Sequence, residues 1–455
     1  MSNVMQQYFD QTVESVVQAI RFDSSLKAAE DGYPFGKETA DCLQWFLSLA
    51  QSFGFETKNY DNYAGEVIFG NGEPFAILAH LDVVPAGGGW IYPPFEGVIN
   101  DEPSASGVQG KKIWGRGALD DKAPAVCCLY ALKAIKDQGI VPNRTIKLIV
   151  GCNEESGWKC IDYYKTQATL PKEGFTPDAD FPVIYAEKGI LHIALQFPVE
   201  NAPFKTLQAG ERVNMVCDKA TALITKQAGG WLSLYEKFTE CFYDNTTNTL
   251  VTYGKSAHGS TPHKGVNALE KMLAFFASVN ADCKKAYDVL FHDSLGLTQM
   301  TDETGSLTFS PNLASFNGET LTVTADIRFP ATHKKEEVLA VFEAAGVAYE
   351  VKNYQAPLYN DPNGKTIQTL LAVYNEATGA NATPIAIGGG TYARALECGC
   401  AFGPELPNEE CTIHQANEYV TFDHIRLMNE LYYEAILRLC TTPTRYHVAT
   451  VKTRK

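Results

Sequence analysis

The stretch Phe-Ala-Ile-Leu-Ala-His-Leu-Asp at residues 75–82 joins an apolar segment to two polar side chains. Its apolar part, Phe75–Ala79, is short, continuous and uncharged, which is typical of a buried strand. A second apolar segment, Thr145–Val150, follows a helical pattern over Asp121–Gln138. Strand, helix and strand in this order predict an α/β fold with a mostly parallel sheet and flanking helices.

The pattern changes character after residue 188. Over residues 189–353, strands such as Thr320–Phe329 alternate with helices, as in a compact α+β domain. Helical and strand patterns of the first kind then return. We therefore expect one discontinuous α/β domain, formed by residues 1–188 and 354–455, into which a smaller α+β domain is inserted.

Composition excludes several classes of partner. The chain has 455 residues and a formal charge of −15, so we expect neither nucleic acid nor an acidic membrane to bind. No apolar run reaches the roughly 20 residues of a membrane span, and Met1–Arg21 lacks the pattern of a secretory leader. The 12 cysteines include no Cys-x-x-Cys pair, so a metal cluster at Cys398, Cys400 and Cys411 is disfavoured. We expect a cytoplasmic protein with reduced thiols.

Polar side chains follow both predicted strands. His80 and Asp82 come after Phe75–Ala79, and the pair Glu154 and Glu155 follows the second strand. The carboxyl ends of strands in an open α/β sheet are where ligands bind. Residues i and i+2 of an extended chain point to the same side, so Asp82 should lie alongside His80. Taken singly, these motifs also fit a polar loop and a solvated acidic turn.

Further candidates gain weight only in combination. Asp120 and Asp121 follow Gly115-Arg116-Gly117 at a predicted helix start, where an N-cap is the simpler explanation. Glu154 is adjacent to a candidate ligand and could take a proton from metal-bound water. The whole set offers two imidazoles and three carboxylates, donors that suit Zn²⁺ or Mn²⁺: His80, Asp120, Glu155, Asp178 and His414.

These motifs resemble, in order and over nearly the whole chain, those of the co-catalytic dizinc metallopeptidases: Ala79–Pro85, Gly115–Lys122, Asn153–Gly157 and Gly174–Asp178. That family includes aminoacylase, carboxypeptidase G and the dipeptidases, and the sequence is most similar to its dipeptidase V, carnosinase-like branch. The resemblance implies a catalytic domain at residues 1–188 and 354–455 and a lid at 189–353. One departure is Ala123, where the family usually has glycine; it removes no ligand.

The resemblance also implies the cofactors and their ligands. Two divalent ions are expected, Zn²⁺ first, with Mn²⁺ or Co²⁺ as alternatives. His80, Asp120 and Asp178 would hold one ion. Asp120, Glu155 and His414 would hold the other, so that Asp120 bridges the pair.

Roles in catalysis follow from the same resemblance. Glu154 would activate a metal-bridging water as general base and then protonate the leaving amine, while Asp82 would orient His80. From the lid, His258 would stabilise the oxyanion with Asn214 as its partner. A surface-loop histidine is the simpler alternative for His258.

The remaining expectations concern substrate and assembly. Arg328 would pair with the substrate's C-terminal carboxylate, unless it only caps a strand end, and Arg394 would line the same pocket. The implied activity is hydrolysis of small unblocked dipeptides by a monomeric enzyme. An N-acyl amino acid deacylase or desuccinylase with the same site is the alternative. A non-enzymatic metal- or peptide-binding protein is a third possibility.

Overall fold

The computed structural model describes residues 4–225, 240–407 and 409–442. The chain forms two compact units, the first made of Met1–Tyr185, Asn360–Ile385 and Thr391–Lys455, and the second of Ala186–Tyr359 and Ala386–Gly390. The expected boundaries, 188/189 and 353/354, lie a few residues from these. The short segment 386–390 joins the second unit because its carbonyl groups accept hydrogen bonds there, from Lys188 N to Ile387 (3.0 Å) and from Arg328 Nη1 to Gly388 (3.0 Å).

The described α-helices carry apolar residues at helical spacing on the side that they bury. In chain order they are α1 (Phe9–Ile20), α2 (Lys37–Ser52), α3 (Lys122–Asp137), α4 (Lys159–Gln167), α5 (Ala268–Ala277), α6 (Ala281–Phe291), α7 (Lys335–Ala344), α8 (Lys365–Thr378) and α9 (Phe422–Cys440).

The described strands are β1 (Glu56–Tyr60), β2 (Ala64–Phe69), β3 (Glu73–His80), β4 (Val98–Asn100), β5 (Lys112–Trp114), β6 (Arg144–Gly151), β7 (Glu173–Thr176), β8 (Ala179–Asp180), β9 (Ile184–Glu187), β10 (Gly189–Pro198), β11 (Phe204–Ala209), β12 (Lys219–Ile224), β13 (Cys241–Asp244), β14 (Thr249–Tyr253), β15 (Thr301–Asp302), β16 (Gly305–Ser306), β17 (Thr308–Phe316), β18 (Thr320–Phe329), β19 (Ala348–Gln355), β20 (Leu358–Tyr359), β21 (Ile385–Ile387), β22 (Cys398–Ala401), β23 (Pro404–Glu405) and β24 (Tyr419–Thr421).

The first unit is built on a sheet in which the strands lie in the order β1-β2-β6-β3-β7-β22-β9. The four central strands, β6, β3, β7 and β22, are parallel, and the outer strands pair antiparallel. The last six residues of β3 are all buried, as expected of a strand covered on both faces. The predicted α/β class is confirmed, with the parallel arrangement confined to the centre of the sheet.

Helix α3 forms the apolar support beneath the loop that precedes it. Thirteen of its side chains are buried, and it packs against α1 and α9. Alanine, cysteine and leucine fill most of these positions, because a helix enclosed on nearly all sides has no polar face. The start of α3 at Lys122 therefore has a fixed position.

The second unit contains an antiparallel sheet with the order β13-β14-β12-β11-β17-β18-β10-β19. Helices α5 and α6 pack together, and α5 lies on β12, β14 and β17. Strand β18 spans Thr320–Phe329, the range expected from its alternating pattern. The predicted α+β class of the insert is confirmed. Among the helices of the described ranges, none combines the length and apolar character needed to cross a bilayer.

Candidate metal centre

Three neighbouring parallel strands bring polar residues to one edge of the first unit's sheet. Strands β6, β3 and β7 are adjacent. His80 is the last residue of β3, Glu154 and Glu155 lie in the turn after β6, and Asp178 directly follows β7. Because parallel strands end at the same edge, the topology places these side chains together.

Asp120 lies between two histidines. Its Oδ1 is 3.0 Å from His80 Nε2, and its Oδ2 is 2.9 Å from His414 Nε2. A further carboxylate approaches each imidazole: Asp178 Oδ2 is 3.5 Å from His80 Nε2, and Glu155 Oε2 is 2.9 Å from His414 Nε2. The structure thus brings all five predicted ligands together. We call these residues and Glu154 the metal cluster.

The hydrogen-bonding state of His80 indicates that a cation fits here. Its Nδ1 lies 2.9 Å from the main-chain oxygen of Asp82, which can only accept, so Nδ1 carries the hydrogen of a neutral ring. Nε2 then presents a lone pair towards Asp120 and Asp178, an arrangement that needs a positive charge between them. Two donors of one tetrahedral zinc ion are about 3.3 Å apart, and the four nitrogen–oxygen distances are 2.9–3.5 Å.

Carboxylate repulsion supports the same conclusion. Burial, together with the charge of Asp178, raises the pKa of Glu154 well above its ordinary value. Burial and Asp120 raise the pKa of Glu155 to about 6, and burial raises the pKa of Asp178. These shifts describe an excess of negative charge that divalent cations would neutralise.

Glu154 also lies within the metal cluster. His80, Glu154 and Asp178 each offer a donor atom within 4.8 Å of the others, as do His80, Asp120 and Glu155. Glu154 Oε1 accepts a hydrogen bond of 2.9 Å from Trp158 Nε1, a contact that the sequence did not indicate. The indole N–H therefore fixes one oxygen of the carboxylate and leaves the other facing the cluster.

Asp82 lies where the i, i+2 spacing places it, with Oδ1 3.6 Å from His80 Nδ1. The ring nevertheless makes its shorter contact with the main-chain oxygen of Asp82. The Asp82 carboxylate instead accepts the backbone N–H groups of Glu154 (3.0 Å) and Glu155 (3.1 Å). This residue thus orients the ring through its main chain and the acidic turn through its side chain.

Glu418, which no sequence motif indicated, holds the loop that contains Asp120. The side chain is buried and accepts hydrogen bonds from the N–H groups of Leu119 (2.8 Å) and Asp120 (3.2 Å). The same loop requires Gly117, whose φ is +81° and whose position leaves a Cβ only 2.8 Å from Val83 Cγ1. A fixed loop keeps Asp120 between the two histidines.

His258 and Asn214 belong to the second unit, where the structure places them on neighbouring segments. The main-chain oxygen of Asn214 accepts the N–H of Gly259 (2.8 Å). The Ser260 N–H donates to His258 Nδ1 (3.2 Å), so the hydrogen of a neutral His258 ring is on Nε2. Partial burial and nearby Arg328 lower the pKa of His258. Its neutral ring therefore presents an N–H donor.

Arg328, also in the second unit, is buried against a carboxylate. Its Nε and Nη2 donate to the two oxygens of Asp326 (2.7 and 2.8 Å), and Nη1 donates to the carbonyl of Gly388 (3.0 Å). His192 Nε2 lies 3.5 Å from the same aspartate. We call Asp326, Arg328 and His192 the arginine cluster. Arg394 lies in the first unit, in a 3₁₀ turn at Tyr392–Ala395.

Comparison with known proteins identifies the family. Residues 76–438 match Peptidase family M20/M25/M40. The Staphylococcus aureus (strain MW2) protein named "Putative dipeptidase MW1694" is 34% identical over 476 residues, covering 96% of this chain and 98% of that protein. The chain belongs to peptidase family M20/M25/M40. It is therefore a hydrolase, and membership of this metallopeptidase family implies a divalent metal, in agreement with the metal cluster.

Solved structures share the fold of this M20 chain. Human carnosine dipeptidase 1 has a TM-score of 0.55 at 12% identity, with 96% of this chain and 98% of that one covered. The aminoacylhistidine dipeptidase of Vibrio alginolyticus has a TM-score of 0.56 at 14% identity, with 95% and 97% covered. At these identities the likeness concerns the fold.

Proposed function

We propose that this M20 peptidase is a metal-dependent dipeptidase that hydrolyses small unblocked dipeptides. The observation that carries the proposal is the position of Asp120, whose two oxygens face His80 and His414 at 3.0 and 2.9 Å. One carboxylate shared by two imidazoles is the arrangement expected of a two-metal hydrolase. The dipeptidase names of the relatives support the substrate class.

The metal cluster divides into two ligand sets. We assign His80, Asp120 and Asp178 to one ion, and Asp120, Glu155 and His414 to the other. Divalent ions held there would polarise the peptide carbonyl and lower the pKa of water. Zinc is our first choice, because imidazole and carboxylate donors suit it, and Mn²⁺ or Co²⁺ would also be accepted.

Glu154 moves the proton in this proposal. It takes a proton from the attacking water and delivers it to the nitrogen of the leaving amine. Trp158 restrains one of its oxygens, so the other is the one that exchanges the proton. A carboxylate with a raised pKa holds a proton more firmly than an ordinary one, which suits a group that must first accept and then donate.

The second unit supplies the groups that contact the substrate. We assign the Nε2–H of His258 to the carbonyl oxygen as it becomes negative, with Asn214 as its partner. Arg328 has five N–H groups, of which three are engaged by Asp326 and Gly388 in the described part of the chain. The two others can pair with a C-terminal carboxylate. We assign Arg394 to the wall of the same pocket.

A substrate panel tests the proposal. The purified full chain, loaded with Zn²⁺ or Mn²⁺, should release both amino acids from free dipeptides, as followed by amine detection. N-acetyl and N-succinyl amino acids should be poor substrates. Faster cleavage of the acylated compounds would favour the deacylase or desuccinylase alternative. Lack of any metal-dependent hydrolysis would contradict both enzyme assignments and favour a binding protein.

A further inference from the structure

Glu418 is a buried carboxylate that the proposed mechanism leaves without a role. It is 0% exposed, lies four residues after His414, and immediately precedes β24. Its two oxygens accept four hydrogen bonds from one loop: from the backbone N–H groups of Gly117 (3.1 Å), Leu119 (2.8 Å) and Asp120 (3.2 Å), and from Arg116 Nη1 (2.7 Å).

The charge of Glu418 is compensated where it lies. Two carboxylate oxygens have about four lone-pair sites, and four donors occupy them. Arg116 is itself 2% exposed, and its guanidinium carbon lies 5.2 Å from the centre of the Trp90 ring. A buried ion pair with every acceptor site used holds its geometry tightly, since any displacement leaves a charge unpaired.

The segment 414–418 also holds a second loop. Asn417 Oδ1 accepts the backbone N–H of Ile91 (2.6 Å), and Asn417 Nδ2 lies 3.2 Å from the carbonyl oxygen of Gly89. The backbone oxygen of Glu418 further accepts the N–H of Gly115 (2.9 Å). The chain that carries His414 is thus fastened to the loop that carries Asp120 by contacts on both its main chain and its side chains.

We propose that Glu418 is a positioning residue for the metal centre. It holds the backbone of Asp120 at the point from which the two carboxylate oxygens reach His80 and His414. The inference rests on the proposed function, since it takes Asp120 as the shared ligand. Displacing a shared ligand weakens both ion positions together, whereas loss of Asp178 weakens one.

Glu418→Gln tests this with little change in shape. Whichever way its amide is turned, the NH₂ group faces two of the four donors, so the loop must shift. Zn²⁺ is titrated into the chelator-treated full chain against a competing chelator. The wild type should bind two ions, and in Glu418→Gln both stepwise affinities should fall about 10- to 100-fold. Asp178→Ala should lower only one of them.

Glu66→Gln is the matched control. Glu66 is also 0% exposed and lies in the first unit, on β2, where Tyr60 (2.8 Å), Tyr164 (2.7 Å) and Lys147 (3.1 Å) surround it. None of these residues belongs to the metal cluster. This variant should lower the melting temperature of the metal-free protein and leave both Zn²⁺ affinities unchanged, because its effect is on packing alone.

Several outcomes would overturn the proposal. One is a Glu418→Gln protein that binds two Zn²⁺ ions with wild-type affinities, and another is weakening at one position only. If Glu418→Gln does not fold, Glu418→Asp, which keeps the charge but shortens the side chain, should show the joint loss. Failure of both variants to fold would assign Glu418 to folding. Failure of the proposed function is distinct, because the wild type would then bind no Zn²⁺ or cleave no dipeptide.

Discussion

The metal cluster and the arginine cluster treat charge in opposite ways. In the first unit, the carboxylates outnumber the imidazoles, and burial raises the pKa of several of them, Glu154, Glu155 and Asp178. In the second unit, one aspartate meets one guanidinium through two hydrogen bonds of 2.7 and 2.8 Å. Both clusters are buried, but only the second is balanced by its own side chains.

This difference separates a site that is incomplete from one that is already assembled. The metal cluster needs positive charge that the protein does not supply, so ligand binding should order and stabilise it. The arginine cluster has its geometry fixed in advance, and it can offer its remaining N–H groups at little cost in side-chain entropy. The following experiments should affect the two clusters differently.

Glu154→Gln should have the largest effect. Removing the group that transfers the proton should lower kcat by about 10²- to 10⁴-fold. The content of two bound metal ions, measured by elemental analysis, should not change, because the assigned ligands remain. A loss of metal from this variant would show that Glu154 is a ligand instead, which its closeness to His80 and Asp178 allows. Glu56→Gln, on exposed strand β1, is the control for removing an acid.

Metal removal should destabilise the first unit selectively. Chelation should abolish activity, and Zn²⁺ at 100 times its dissociation constant should add about 2.7 kcal/mol per site to the free energy of unfolding. Hydrogen exchange should slow at residues 115–121 and 153–155 when Zn²⁺ returns. Exchange at Thr320–Phe329 should not change. Equal protection of both regions would contradict the separation of the clusters.

Arg328→Lys should have a smaller effect, confined to substrate binding. An ammonium cannot reproduce the paired hydrogen bonds of the guanidinium, so KM for dipeptides should rise about 10- to 100-fold. The two metal ions should stay bound, and kcat should change less than KM. Dipeptide amides, which lack the C-terminal carboxylate, should bind poorly to the wild type and lose little more in the variant. A large additional loss with the amides would contradict the carboxylate assignment.

The parts that the sequence could predict are those governed by local pattern. Apolar segments located β3 and β6, and β18 begins and ends at the predicted residues. The polar residues that follow β3 and β6 could be placed at the sheet edge because parallel strands end together. Alternation along β18 also puts Asp326 and Arg328 on the same face, a signal that could have revealed their pairing.

Other features depend on contacts that no local pattern encodes. The ion pair of Glu418 with Arg116 joins residues 302 positions apart, so neither residue type nor spacing could predict it. Helix α4 was not anticipated, because it begins after Trp158 with a φ of +63° and without a side-chain cap. The main-chain contact from Asp82 to His80 is equally invisible in a sequence, which lists only side chains.

His192→Gln should have the smallest effect and defines how complete the arginine cluster is. His192 lies 3.5 Å from Asp326, beyond hydrogen-bond distance, whereas Arg328 already satisfies both oxygens of that aspartate. Loss of the imidazole should therefore change kcat/KM by less than about threefold and the free energy of unfolding by less than about 1 kcal/mol. His80→Gln, the matched change in the metal cluster, should abolish tight metal binding because the cluster lacks a substitute donor at that position. If the two variants were equally harmful, the arginine cluster would depend on His192, and its charges would not be balanced by the Asp326–Arg328 pair alone.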